Sequence, residues 1–225
     1  MAAPMLKHKQ PVLRKAVAVL LCWSYALVVT ATIEISDELL KKINNKYGEP
    51  AQQRVIQWQK LMRTGKDLSD EDKIKSVNDF FNQNIKFIDD AVNWGVADYW
   101  ATPLEFLMTG AGDCEDYAIA KYFTLQELGI NEDKMRITYV KALKLNQAHM
   151  VLTYFSTPQA VPVVLDNLVS TIESATKRTD LLPVYSFNGS NLWLAKARGA
   201  GQRVGGTEKL SLWTDLKQRM LNNSL

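Results

Sequence analysis

Apolar and polar positions along this chain follow first a helical and then an alternating period, and the changes of period mark its elements. Residues 36–63 read as helical: Leu39, Leu40 and Ile43 share one face behind an N-cap candidate, Ser36, until Gly48-Glu49-Pro50 breaks the pattern. A second helix is expected from about Pro50 to Met62, with Val55, Trp58, Leu61 and Met62 at helical spacing and Gly65 as its stop. Ser69-Asp70-Glu71-Asp72 opens a third, whose apolar stripe is Ile74, Val77, Phe80 and Phe81. These three predict a helical N-terminal lobe. Asn84 to Trp100 has no clean period and reads as an ordered loop with short extended pieces. Cys114 to Leu128 is apolar nearly all round, with Lys121, Thr124 and Glu127 as a thin polar stripe; such a helix is central and buried, and Gly129 stops it.

The period then drops to two. Met135 to Leu143 alternates, a turn falls at Asn146-Gln147, His149 to Phe155 forms a second strand, and Val161 to Leu165 a third after a turn holding Pro158. Short connections make these an antiparallel meander. Further strands are expected near Val184–Phe187 and Leu192–Ala197. Gly199 to Gly206, with Arg198 and Arg203, lacks the lysine and helix of a phosphate loop and reads as a solvated basic loop. Leu210 to Leu221 closes the chain as an amphipathic helix. The expected class is α+β, an antiparallel sheet packed on the buried helix and joined to the helical lobe.

Composition changes this picture at the N-terminus. Lys7, Lys9, Arg14 and Lys15 precede an uncharged run from Ala16 to Thr32, the layout of a secretory signal, with Val29-Thr30-Ala31 offering the small residues of a cleavage site. The expected organisation is therefore a signal peptide, 1–31, and one domain, 32–225; an uncleaved membrane anchor is the alternative. Four of the 27 basic residues and none of the 24 acidic ones fall in 1–31, so the remainder carries a net charge near −1 and no basic footprint for nucleic acid. Cys22 and His8 also lie in that segment. What remains has one cysteine, Cys114, and one histidine, His149. An exported chain with one thiol has no internal disulfide partner, which marks the thiol as a candidate reactive group, and the same count excludes soft-metal sites built from several Cys and His.

Cys114 stands in Thr109-Gly110-Ala111-Gly112-Asp113-Cys114-Glu115-Asp116-Tyr117. The glycines permit a sharp turn, Asp113 is an N-cap, and Asp116 is its capping-box partner. Cys114 then occupies the first turn of the buried helix, where free N–H groups and the helix dipole favour a thiolate. A small cysteine packed at a helix start is the bland reading of the same stretch. His149 begins one strand and Asp166 ends the next, and in an antiparallel pair those ends are neighbours. Thiol, imidazole and carboxylate can thus converge at one sheet edge as nucleophile, base and orienting group.

Gly112-Asp113-Cys114-Glu115-Asp116-Tyr117-Ala118, Ala148-His149-Met150-Val151-Leu152 and Val164-Leu165-Asp166-Asn167, in that order, resemble the transglutaminase-like cysteine proteinases of bacteria, and most closely the LapG-type periplasmic proteases among them. The likeness extends over the helical lobe and the Trp100-Ala101-Thr102-Pro103 lead-in. It implies a papain-like α+β fold and an exported, calcium-dependent cysteine endopeptidase. It further implies cleavage of the N-terminal region of a large surface adhesin at a paired-alanine site, which releases the adhesin and disperses a biofilm. An inner-membrane receptor for cyclic di-GMP that holds the protease inactive is implied as well.

Calcium has a separate physical argument. Asp113, Glu115 and Asp116 put three negative charges within two residues of the thiol, and uncompensated they would raise its pKa. A hard cation on oxygen ligands would neutralise them; the alternative is that the acids merely cap the helix. Three such carboxylates do not complete a calcium shell, so carbonyls, waters or a loop residue such as Asp89 must contribute. The backbone N–H of Cys114 is the expected oxyanion donor, with Trp100 as a second cleft residue. A transglutaminase-type acyl transferase and a non-enzymatic calcium-binding or receptor-docking module are the competing readings.

Overall fold

The computed structural model describes residues 35–194 and 201–222; the expected signal segment lies outside them. Three helices come first among the described residues: α1 (Asp37–Tyr47), α2 (Glu49–Gly65) and α3 (Asp70–Asn84). Their starts follow from local chemistry, since the Ser36 and Ser69 hydroxyls accept from the N–H groups of Leu39 and Asp72. Their apolar faces, with Ile43, Val55, Trp58, Met62, Val77 and Phe81, are buried in one core.

The stretch from Asn84 to the cysteine is more regular than its sequence suggested. It holds β1 (Lys86–Phe87), the one-turn helix α4 (Asp90–Asn93), the helix α5 (Pro103–Thr109) and β2 (Ala111–Gly112), with β1 and β2 paired in parallel. Helix α5 escaped the sequence reading although its signals are present. Thr102 and Glu105 form a reciprocal capping box, Pro103 sits in the first turn, and Gly110 ends the helix in the left-handed conformation at φ 68°.

Helix α6 (Cys114–Glu127) crosses the middle of the molecule and packs on a seven-stranded antiparallel sheet. The strands are β3 (Met135–Ala142), β4 (Gln147–Tyr154), β5 (Val163–Leu165), β6 (Glu173–Ser174), β7 (Leu181–Phe187), β8 (Asn191–Leu194) and β9 (Gln202–Gly206), in spatial order β6-β5-β4-β3-β7-β8-β9. Asn146, at φ 53°, makes the left-handed turn between β3 and β4. One expectation needs correction. Residues 202–206 of the presumed basic loop are strand β9, paired with β8 and tied to it by Arg203 Nε donating to Asn191 Oδ1 at 2.6 Å. The thin polar stripe of α6 turns inward at Lys121 and Thr124: both are buried, and each hydrogen-bonds into the helical lobe. Helix α7 (Ser211–Leu221) closes the core with Trp213 and Leu216. Among the described residues no helix is long and apolar enough to cross a membrane.

Candidate active site

Antiparallel pairing places the imidazole and the carboxylate together. Leu152 of β4 faces Leu165 of β5, so Asp166, one residue beyond β5, lies alongside the stretch of β4 that carries His149. His149 Nε2 and Asp166 Oδ1 are 2.8 Å apart, and both residues are almost fully buried. Asp166 Oδ1 also accepts from the Leu168 N–H at 3.0 Å, and Oδ2 accepts from Arg178 Nη2 at 2.7 Å. Burial pushes the Asp166 carboxyl upward, but the hydrogen bonds from His149, Leu168 and Arg178 outweigh it and hold the group at about 2. Asp166 is therefore an anion at any ordinary pH.

With Nε2 committed to Asp166, Nδ1 is the ring nitrogen left for a proton transfer. The sulfur that would use it starts α6, the helix that packs on β4. The backbone N–H of Met150, the residue after His149, acts on that sulfur and favours its ionisation. Four influences oppose it: burial, the Glu115 charge, the hydrogen bond to Glu115, and the Asp113 charge. Sγ donates to Glu115 Oε2 at 3.0 Å, and the thiol is pushed well above its usual range. The expected thiolate at the helix start is thus outweighed by desolvation and two carboxylates while nothing balances their charge.

The acids around the sulfur are more numerous than sequence spacing indicated. Ligand atoms of Asp90, Asp113 and Asp116 lie within 4.8 Å of one another, as do those of Asp90, Asp98 and Glu115. Asp89, the loop acid named from the sequence, is exposed; its neighbour Asp90 is buried and joins the cluster. Burial, with Glu115, Asp98 and Asp89 nearby, lifts Asp90 to about 6 against a hydrogen bond from the Tyr99 N–H. Asp113 and Asp116 are raised for the same first reason, and Asp98 by burial and Glu115. Asp116 is the most committed, accepting from the Ala101 N–H at 2.8 Å and from the Asp113 N–H at 3.3 Å, the second bond being the capping-box half expected from the sequence. Asp90 Oδ1 and Asp113 Oδ1 are buried with no hydrogen-bond partner. Buried anionic oxygens without donors are costly, and an all-oxygen cluster of this kind fits a hard cation.

Trp100 is a core tryptophan. Its ring stacks on Phe187 with centroids 5.7 Å apart, and its indole N–H acts on Asp98 rather than on the sulfur. Arg178, Asp90 and Asp98 are the site residues that sequence reasoning missed. The first follows a two-residue strand, and the others lie at the start of a one-turn helix and in the stretch after it, where the sequence has no period, so no pattern pointed to them.

A helical lobe joined to an antiparallel sheet, with the helix that starts at Cys114 packed on that sheet, is a transglutaminase-like cysteine protease fold. The sequence matches the model of the bacterial transglutaminase-like cysteine proteinase family over residues 46–194, and the chain belongs to that family. Its structure is similar to that of LapG from Legionella pneumophila. The EGTA-treated form is 43% identical with a TM-score of 0.72, covering 83% of this chain and 98% of the other. The calcium-bound form is 43% identical with a TM-score of 0.70, covering 83% of this chain and 99% of the other. No curated protein matches the chain.

Proposed function

We propose that this chain is a calcium-dependent cysteine endopeptidase with Cys114 as nucleophile, His149 as general base and Asp166 as the orienting anion. The observation that carries this reading is the buried 2.8 Å contact between His149 Nε2 and Asp166, which leaves Nδ1 as the ring nitrogen not engaged by the carboxylate. His149 takes the thiol proton, and the sulfur attacks the scissile carbonyl. The Cys114 backbone N–H, free at the helix start, receives the oxyanion. Protonated His149 then hands its proton to the leaving amine, and a water attacks the acyl-enzyme with His149 again as base. Asp166 keeps the ring in one tautomer and orientation throughout.

Calcium is the fitting cation, because Legionella LapG is known in calcium-bound form and the unpartnered oxygens here belong to Asp90 and Asp113. Asp90, Asp98, Asp113, Glu115 and Asp116 would hold it, with Asp116 contributing least freely. Bound there, it supplies positive charge that offsets the carboxylates raising the Cys114 pKa. By family resemblance the substrate is the N-terminal region of a large surface adhesin, cut in the periplasm so that the adhesin is released and the biofilm disperses. The regulator is an inner-membrane cyclic di-GMP receptor that sequesters the protease.

The test is cleavage of a recombinant adhesin N-terminal fragment by the wild type, with and without EGTA, beside Cys114→Ala. Cleavage that requires both calcium and Cys114 is the expected result. Cleavage by Cys114→Ala would falsify the assignment, and an amide-exchanged product instead of two fragments would make the chain an acyl transferase.

A further inference from the structure

The Asp166 carboxylate has more holding it than a catalytic dyad requires. Its backbone is fixed from the helical lobe: Asn82 Nδ2 of α3 donates to the Asp166 carbonyl at 2.8 Å, and Asn78 Nδ2 donates to the Ser170 carbonyl at 2.8 Å. The carboxylate itself is held at Oδ1 by the Leu168 N–H and His149, which leaves Oδ2 free to swing. Arg178, between β6 and β7, is 5% exposed and removes that freedom by donating from Nη2 to Oδ2, the oxygen that His149 does not touch. The guanidinium is aimed in its turn by Asp180, which accepts from Nε at 3.0 Å and from Nη2 at 2.8 Å.

We propose that Arg178 is a positioning residue, fixing the Asp166 carboxylate and through it the His149 ring that serves Cys114. The proposal rests on the triad assignment above. A charged donor is needed because the Asp166 side chain is fully buried and His149 is neutral for part of any cycle in which it acts as base. During that part the imidazole offers Asp166 a hydrogen bond but no counter-charge, and a buried anion without one is strongly disfavoured. Arg178 stays charged throughout, so the carboxylate keeps its ionisation and its orientation whichever way the proton has moved.

The experiment measures the rate at which iodoacetamide alkylates Cys114 in the full chain, in calcium-containing buffer. Peptide-resolved mass spectrometry separates Cys114 from Cys22, and a melting curve is recorded for each variant. His149→Gln and Asp166→Asn set the loss expected when the triad is broken. Arg178→Gln is expected to slow alkylation at least about tenfold, since misplacing a reacting group by about an ångström can cost about a hundredfold. Arg178→Lys, which retains the charge on Oδ2, is expected to recover to within about threefold of wild type. A wild-type rate in Arg178→Gln beside a slow His149→Gln overturns the proposal while leaving the triad intact. A wild-type rate in His149→Gln overturns the triad itself. Should Arg178→Gln not fold, Arg178→Lys decides: a rate as low as that of Asp166→Asn overturns the positioning role.

Discussion

Lys121 lies two helical turns along α6 from Cys114, on the same face, and its ammonium donates to Asn78 Oδ1 at 2.9 Å inside the protein. Burial lowers this lysine to about 7, against smaller upward pulls from Asp166 and Asp79. The folded value is below the unfolded one, so from about pH 7 to 10.5 the unfolded chain takes up a proton that the folded chain does not, and stability rises with pH across that window. Below pH 7 the full cost of a buried ammonium is present. Lys121→Met removes that cost but leaves Asn78 Oδ1 short of a donor, worth about 1–3 kcal/mol. The variant should therefore melt above wild type at pH 6, and the gap should close by pH 9. A variant that melts lower at pH 6 would mean the ammonium is fully compensated where it lies.

Thr124, also on α6, accepts from Trp58 Nε1 at 2.8 Å, joining the buried helix to α2. Thr124→Val keeps the volume and removes the acceptor, leaving a buried indole N–H unsatisfied. Urea unfolding should show a loss of about 1–3 kcal/mol with the m-value unchanged. Thr124→Ser, which retains the oxygen, should lose much less.

These two residues show where the sequence was informative and where it was not. An apolar period locates a buried helix, and α6 was legible because almost every face of it is apolar. The same pattern says nothing of which partners polar residues find inside, and so Lys121 and Thr124 showed only as a thin polar stripe. The His149–Asp166 pair was legible because strand alternation and a short connection together fix which ends meet. Helix α5 lay hidden in seven residues, too short for periodicity to register, although Thr102, Pro103 and Glu105 spelled out its start. The acidic cluster needs Asp90 and Asp98 from one loop and Asp113, Glu115 and Asp116 from a helix start, a meeting set by tertiary packing alone.

Gly112 is the point at which that packing leaves no room. A Cβ there would collide with Asp116 Oδ2 and come within 2.7 Å of the Phe106 ring. Asp116 cannot yield easily, since it holds the N–H groups of Ala101 and Asp113. Gly112→Ala should cost about 1–3 kcal/mol by urea unfolding, the range for overpacking a core. It should also weaken calcium binding in a titration followed by calorimetry, because the displaced carboxylate sits among the candidate ligands. Ala111→Gly, next in the chain, should leave the calcium affinity within about threefold of wild type.

Asp90 separates cation binding from simple burial by the sign of its effect. Without a cation, its carboxylate is lifted to about 6 by burial and by neighbouring acids, so at neutral pH it is ionised against an unfavourable environment. Asp90→Asn keeps an oxygen for the Tyr99 N–H and deletes the charge, and should raise the melting temperature in EGTA. With calcium the order should reverse. A ligand that binds only the folded state adds about 2.7 kcal/mol at a hundredfold its Kd, and removing a charged ligand forfeits most of that gain. Asp89→Asn, one residue earlier but exposed, should follow wild type in both conditions. Differential scanning calorimetry on the three proteins, each with EGTA and with calcium, reads both signs. If Asp90→Asn and wild type gain equally from calcium, the ion is held elsewhere, and Asp90 is only a buried acid that hydrogen-bonds the Tyr99 backbone.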